Sequence, residues 1–286
     1  MRINKNISSM ITNNTLFKTN RNLDKSIEKL STGLRIKQSS DDAAGLSISE
    51  NLRTQIRGTA QARKNAMDGT ALLQIAEGAA NEISAIIQRM RELALQASSD
   101  TFTSNERIYA NDEFSELRDE IDRIAASTNY NKVEMISGTE KRFGIPNAVN
   151  NNILWIDAGP QPGTDSITIT IDTLTVESLS TELVTTTLTN QNDAVKSISY
   201  LDSAINSVNS TRANIGTYVN RLEHAINYLM LSELNQQNAE SIIRDVDFAG
   251  EHSNFIKNQI LTESGTAMLA QAHLIPEGLL SLFETD

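Results

Sequence analysis

The only imidazoles in this chain of 286 residues are His224, His252 and His273. A zinc hydrolase would place two histidines one helical turn apart with a glutamate between them, and none of the three is spaced that way. Glu251 and His252 are adjacent, but neighbours on a helix project about 100° apart and cannot work as a dyad. Asp41-Asp42 and Asp245-Val246-Asp247 offer paired carboxylates, the oxygen chemistry of a hard-cation site. Both also stand where a helix would begin, where carboxylates complement the exposed N–H groups, and that reading is the better one. The 13 glycines form neither a GxGxxG nor a Walker pattern, so no phosphate cradle is evident. Cysteine is absent, which excludes disulfides, thiolate metal sites and thiol nucleophiles. Arg89, Arg91 and Glu92 fit a solvated helix face. The sequence predicts no enzyme, with no catalytic, metal or cofactor-binding residue and no cofactor.

What the chain does carry is helical pattern. Ala194, Ile198, Leu201, Ile205, Val208, Arg212, Ile215, Val219, Leu222, Ile226 and Leu229 alternate spacings of 4 and 3, and only Arg212 is not apolar. A second stripe runs Leu72, Ala76, Ala79, Ile83, Ile86, Met90, Leu93, Ala97. A period near 3.5 sustained over several heptads marks helices packed lengthwise on partners. Two such segments far apart in sequence predict a chain that folds back, with its ends side by side. The expected fold is mainly α: a long antiparallel helical coiled-coil rod with a small β-hairpin region in the middle of the chain. With 39% hydrophobic but only 5% aromatic residues, thin paired helices suit the composition better than one globular core.

The net charge of −11 argues against a nucleic-acid partner, since phosphate binding needs clustered Lys and Arg. No apolar run exceeds four residues, so neither a membrane-inserted helix nor a secretory signal is expected. Charge divides between the ends: residues 1–40 carry +6 and residues 242–286 carry −5, which should draw the two tails together. Within the first tail, Leu16, Leu23, Ile27, Leu30 and Leu34 make an apolar stripe. Gly33 and Gln38-Ser39-Ser40 suggest a break. Ser39 or Ser40 is a candidate cap for a helix from about Asp42 to Ser98, and Ser104 for one from about Asn105 to Ser127. Between about 130 and 190, Asn-Asn-Asn at 150–152, Gly159-Pro160 and Pro162-Gly163 read as loops. Ile153–Ile156 and Ile167–Ile171 read as strands, with a third short strand around Leu174-Thr175-Val176.

LSTGLRIKQSSDDAAGLSISENLRTQIRG at 30–58 and QARKNAMDGTALLQIAEGAANEISAIIQRMRELALQAS at 61–98 resemble the N-terminal region of bacterial flagellin. GTAMLAQAHLIP at 265–276, Leu279-Leu280 and the preceding Arg244–Ala249 segment are similar to its C-terminal signature. The resemblance covers about residues 1–140 and 190–283. Thr59, where the family usually has leucine, and the end Phe283-Glu284-Thr285-Asp286 depart from the pattern.

The resemblance implies a structural subunit that polymerises into the helical flagellar filament used for motility; a hook–filament junction protein is the alternative. It divides the chain into residues 1–41 and 245–286 as paired terminal helices of the inner filament core, 42–140 and 190–244 as the helical rod, and 141–189 as a small β-rich insert. The first tail's stripe, with Ile256, Ile260, Met268, Leu269 and Leu274 from the second, is then expected to carry subunit assembly. Implied partners are other subunits in a homo-polymer, a flagellar export chaperone, and the filament cap and hook-junction proteins. Export through the flagellum's own type III channel would place the protein in a secreted, extracellular filament. Gln88, Arg89, Leu93 and Glu113 match positions at which a host's flagellin-sensing Toll-like receptor grips family members.

Overall fold

The computed structural model describes residues 5–131, 133–137, 153–157 and 166–283. The elements in chain order are α1 (Ile7–Thr32), α2 (Ala43–Ala97), α3 (Ser104–Ser127), β1 (Asn129–Tyr130), β2 (Val133–Glu134), β3 (Ile153–Asp157), β4 (Ser166–Thr170), α4 (Val176–Leu179), α5 (Gln191–Arg244) and α6 (Phe248–Phe283). They form two compact units, Met1–Thr54 with Asn235–Asp286, and Gln55–Leu234. The unit boundaries fall inside α2 and α5, whereas the breaks expected near 41/42 and 244/245 fall between helices.

In the unit Gln55–Leu234, the α5 stripe has two grades of burial. Ala194, Leu201, Val208, Ile215, Leu222 and Leu229 are at most 2% exposed, while Ile198, Ile205, Arg212, Val219 and Ile226 are half-buried. Of the expected α2 stripe, Leu72, Ala76, Ile83, Met90, Leu93 and Ala97 are buried, but at 79 and 86 the next residue lies deeper. Leu73, Ala76, Ala80, Ile83, Ile87, Met90, Ala94 and Ala97 are at most 1% exposed, whereas Ala79 and Ile86 are half-buried. The buried face is wider than one seam, taking in both Leu72 and Leu73 and both Leu93 and Ala94, as a helix covered on two sides requires. Arg91 and Arg63 pair with Asp202 (2.7 Å) and Glu233 (3.3 Å) of α5. Arg89 pairs with Glu113 of α3 (2.9 Å), and Arg107 of α3 donates to the Ala97 and Ser99 carbonyls where α2 ends (both 2.9 Å).

Thr103, not Ser104, caps α3: its hydroxyl accepts the Glu106 amide while the Glu106 carboxylate accepts the Thr103 amide, a reciprocal capping box. The expected strands pair antiparallel, from Ile153 opposite Thr170 to Asp157 opposite Ser166. The third expected strand does not form. Leu174 gives its amide to the Ile136 carbonyl (2.9 Å), and the Asp122 carboxylate takes the Val176 amide (2.9 Å), which starts α4 instead. Ile171, Leu174, Val176, Leu179, Leu183 and Leu188 are buried in one core with α2, α3 and α5. The loops expected at 150–152, Gly159-Pro160 and Pro162-Gly163 lie outside the described residues.

In the other unit, α1 and α6 run antiparallel. Gly33 ends α1 in the left-handed conformation (φ 71°), donating its amide to the Lys29 carbonyl. Leu34 then forms an isolated antiparallel bridge with Asp245. Asp42 caps α2, accepting the Gly45 amide (3.0 Å), while Asp41 accepts the amides of Lys37 and Gln38 (3.3 and 3.2 Å). The cap is therefore Asp42, not Ser39 or Ser40. A Cβ at Gly45 would lie 2.7 Å from Ile36 Cδ1 and 2.5 Å from Asp42 Oδ2, so only glycine lets Ile36 bury there.

Candidate assembly surface

Helix α1 meets α6 through an inner heptad: Ser9, Thr12, Leu16, Thr19, Leu23, Ser26 and Leu30, all buried or half-buried. The facing row is Glu251, Phe255, Asn258, Thr262, Gly265, Leu269 and Ala272. Polar residues hold half of this seam, and the serines and threonines pair across it or turn back on their own helix. Ser26 donates its hydroxyl to Glu251 (2.6 Å), and Thr262 donates to Asn20 (3.2 Å). Asn6 donates to the Ala272 carbonyl (2.7 Å), and Ser9 Oγ lies 3.3 Å from His273 Nε2. Gly265 admits close approach, since a Cβ there would stand 3.1 Å from Leu16 Cδ1. Lys29–Glu251 (3.7 Å) is the one ion pair joining α1 to α6 among the described residues, so opposite net charge contributes little to the fit.

The large apolar side chains point the other way. On α1, Ile7, Met10, Ile11 and Phe17 are 58%, 67%, 64% and 61% exposed. On α6, Ile256, Ile260, Met268 and Leu274 are 43%, 56%, 62% and 55% exposed. Ala249, Ile256, Ile260, Ala267 and Leu274 fall on the heptad row opposite the inner one, so α6 has two packing faces and α1 covers only one. Of the ten residues expected to carry assembly, Leu16, Leu23, Leu30 and Leu269 are half-buried in the α1–α6 seam, and Leu34 is half-buried at the bridge with Asp245. Ile27, Ile256, Ile260, Met268 and Leu274 are exposed. Sequence reasoning missed the inner seam's polar members and the outward Ile7, Met10, Ile11 and Phe17; a heptad count that admitted Ser, Thr and Gly would have found the first group. Exposed patches of this kind mark interaction sites, and each such side chain buried on association contributes about 1.5–3 kcal/mol.

The segments after α1 and after α5 meet each other. Arg35 donates its amide to the Arg244 carbonyl (2.6 Å) and its guanidinium to the carbonyls of Ile242 (3.3 Å) and Ile243 (2.5 Å). Arg244 itself is buried, with Nη1 2.5 Å from Glu50, and Arg53 reaches Glu240 (2.9 Å). These contacts place Asp41, Asp42, Asp245 and Asp247 as backbone caps and bridge residues. No group of three or more metal-ligating side chains occurs among the described residues.

These features coincide with two family models. Residues 3–141 match the bacterial flagellin N-terminal helical region, and residues 198–283 match the bacterial flagellin C-terminal helical region. The chain belongs to the flagellin family. It is 41% identical to Flagellin FlaB2 of Treponema pallidum (strain Nichols) over 286 residues, covering 99% of each chain. It is likewise 41% identical to the flagellin of Bacillus subtilis (strain 168) over 307 residues, again covering 99% of each. Among solved structures, a putative flagellar hook-associated protein from Vibrio parahaemolyticus is similar at a TM-score of 0.58 with 17% identity, covering 72% of this chain and 99% of that one, a likeness of fold alone.

The four residues that the flagellin pattern places at a receptor contact are not alike. Gln88, Arg89 and Glu113 are exposed, but Leu93 is 3% exposed in the α2 core. It presents no surface to another protein, because it lies on the buried face of the helix. Arg89 is engaged by Glu113 (2.9 Å) and Glu92 (3.1 Å), and these hydrogen bonds, the one to Glu113 foremost, raise its pKa. No described helix is long and apolar enough to cross a membrane.

Proposed function

We propose that this chain is the structural subunit that polymerises into the helical bacterial flagellar filament used for motility. The observation that carries the reading is the two-faced terminal pair: α6 packs α1 on one heptad row and leaves the opposite apolar row open. Full-length identity to filament proteins supports it, including a flagellar filament 33 kDa core protein from Treponema phagedenis at 41% over 99% of both chains. The work of such a subunit is binding its own kind, and it needs no catalytic group. The test is polymerisation of the purified chain, followed by electron microscopy. Filaments of flagellar diameter are expected; a chain that only decorates the end of another filament would favour the hook–filament junction reading.

The remaining roles rest on family membership. The subunit leaves the cell through the flagellum's own export channel, meets an export chaperone on the way, and is seated beneath the filament cap on a hook-junction protein. Gln88, Arg89 and Glu113 form the exposed part of a contact for a host Toll-like receptor. Arg89→Ala should lower receptor signalling by the monomer. Unchanged signalling would remove that contact.

A further inference from the structure

Helix α5 ends at Arg244 and α6 starts at Phe248, yet nothing in the intervening Asp245-Val246-Asp247 forbids a helix. There is no proline, and the next glycine is Gly250. The local sequence does hold a start signal: Asp247 Oδ1 accepts the Ala249 amide (3.0 Å), and its main-chain carbonyl accepts the Glu251 amide (2.9 Å). It holds no stop signal. In an uninterrupted helix the carbonyls of Ile242, Ile243 and Arg244 would accept the amides of Val246, Asp247 and Phe248. All three are instead taken by one residue from far away in the chain. Arg35 gives its guanidinium to Ile242 (3.3 Å) and Ile243 (2.5 Å) and its amide to Arg244 (2.6 Å). The freed Val246 amide goes to the Gly33 carbonyl (3.0 Å). A guanidinium at a helix C-terminus also meets the negative end of its dipole.

We propose that Arg35 is a positioning residue that stops α5 from outside and so sets where α6 begins and how it is turned. Arg35 is held for this task on both sides, by the left-handed Gly33 and by Ile36, buried where only Gly45 leaves room. Without the clamp, α5 continues through 245–247 into α6 as one helix. The inner heptad of α6 is then no longer turned toward α1. That last consequence for assembly rests on the filament reading; the helix break itself does not.

The experiment uses the full chain with Arg35→Ala, Phe248→Pro, and both together. Phe248 is the first residue of α6, where proline is tolerated, but inside a continuous helix a proline there would clash with the Arg244 carbonyl. Carbon chemical shifts at Asp245, Val246 and Asp247, recorded with trimethylamine N-oxide added to order the tails of the soluble chain, report whether the break persists, and a pelleting assay without it reports polymerisation. Arg35→Ala should turn the shifts helical and abolish polymerisation, and adding Phe248→Pro should restore both. Non-helical shifts at 245–247 in Arg35→Ala would overturn the clamp. So would a double variant that regains the break but still fails to polymerise, because Arg35 would then act through another contact. A parent chain that never polymerises would end the filament reading, while the shifts still decide the clamp.

Discussion

Asn6 donates its side-chain amide to the Ala272 carbonyl at 2.7 Å, the acceptor that Pro276, four residues on and lacking an N–H, leaves without a helical partner. The α6 helix runs through Pro276 to Phe283, so α1 supplies a donor that α6 cannot. Asn6 Oδ1 also caps α1 by accepting the Ser9 amide (3.0 Å). Asn6→Asp keeps the cap but turns the donor into an acceptor facing a carbonyl. It should lower the temperature at which filaments dissociate, by an amount in the range of one lost hydrogen bond per subunit, about 1 kcal/mol. In a Pro276→Ala background, which restores the helical donor, the same change should cost less. Equal cost in both backgrounds would show that the proline and the asparagine are unrelated.

Arg212 is the only polar member of the α5 stripe, and its Nε is buried without a partner among the described residues. It is half-buried like Ile205 and Val219 at the equivalent heptad positions, so the seam has not drifted outward there. A half-buried guanidinium with no acid partner among the described residues is the arrangement in which leucine does better. Arg212→Leu should hold or raise the melting temperature of the monomer, a gain of 1 kcal/mol amounting to about 2–4 °C for a unit of this size. A fall of several degrees by circular dichroism would show that Arg212 makes a contact worth keeping.

The α5 stripe was legible because every seventh residue from Ala194 to Leu229 is both apolar and buried, while the equally deep Ser197, Ala204 and Thr211 beside it escaped an apolar count because two of the three are polar. In α2 the same count found six buried positions but took Ala79 and Ile86 where Ala80 and Ile87 lie deeper, since the buried face is wide and a single-seam template cannot say which edge lies deepest. The α1–α6 seam was illegible to an apolar count because Ser9, Thr19 and Ser26 occupy its buried positions while Met10 and Phe17 face out. Leu93 could have been placed correctly, as it sits on the α2 stripe. Arg35 left no local signal at all: its acceptors lie some two hundred residues away, and only folding brings a cation to those carbonyls.

Acid should loosen each unit at an identifiable cap. Two backbone amides, from Gln38 first and Lys37 second, hold the Asp41 carboxyl below its usual range, and the amide and hydroxyl of Thr103 do the same for Glu106. A carboxyl depressed on folding contributes its stability above its unfolded pKa and loses it as the pH falls through the lower folded value. The loss therefore begins below about pH 4, where free carboxyls protonate. Asp41→Asn with Glu106→Gln should flatten the fall in melting temperature between neutral pH and pH 3. An unaltered pH slope in the double variant would assign the acid response to other carboxyls.

The tails should order only on assembly. The α1–α6 seam is half polar, and the large apolar side chains Met10, Phe17, Ile260 and Met268 face outward. Two helices joined this way bury little, isolated helices are marginal in water, and every ordered residue costs about 1–2 kcal/mol of backbone entropy. In the soluble monomer, then, amides of Ile7–Thr32 and Phe248–Phe283 should exchange rapidly, while α2, α3 and the stripe of α5 stay protected around their shared core. In the filament, neighbouring subunits would cover the outward rows, and burial would offset the ordering cost. The same looseness suits passage through a narrow export channel. Removing residues 245–286 should accordingly leave α2, α3 and α5 folded but abolish polymerisation. Hydrogen exchange on the monomer and a pelleting assay on the truncated chain decide it, and strong protection of both tails or normal filaments after truncation would end this account.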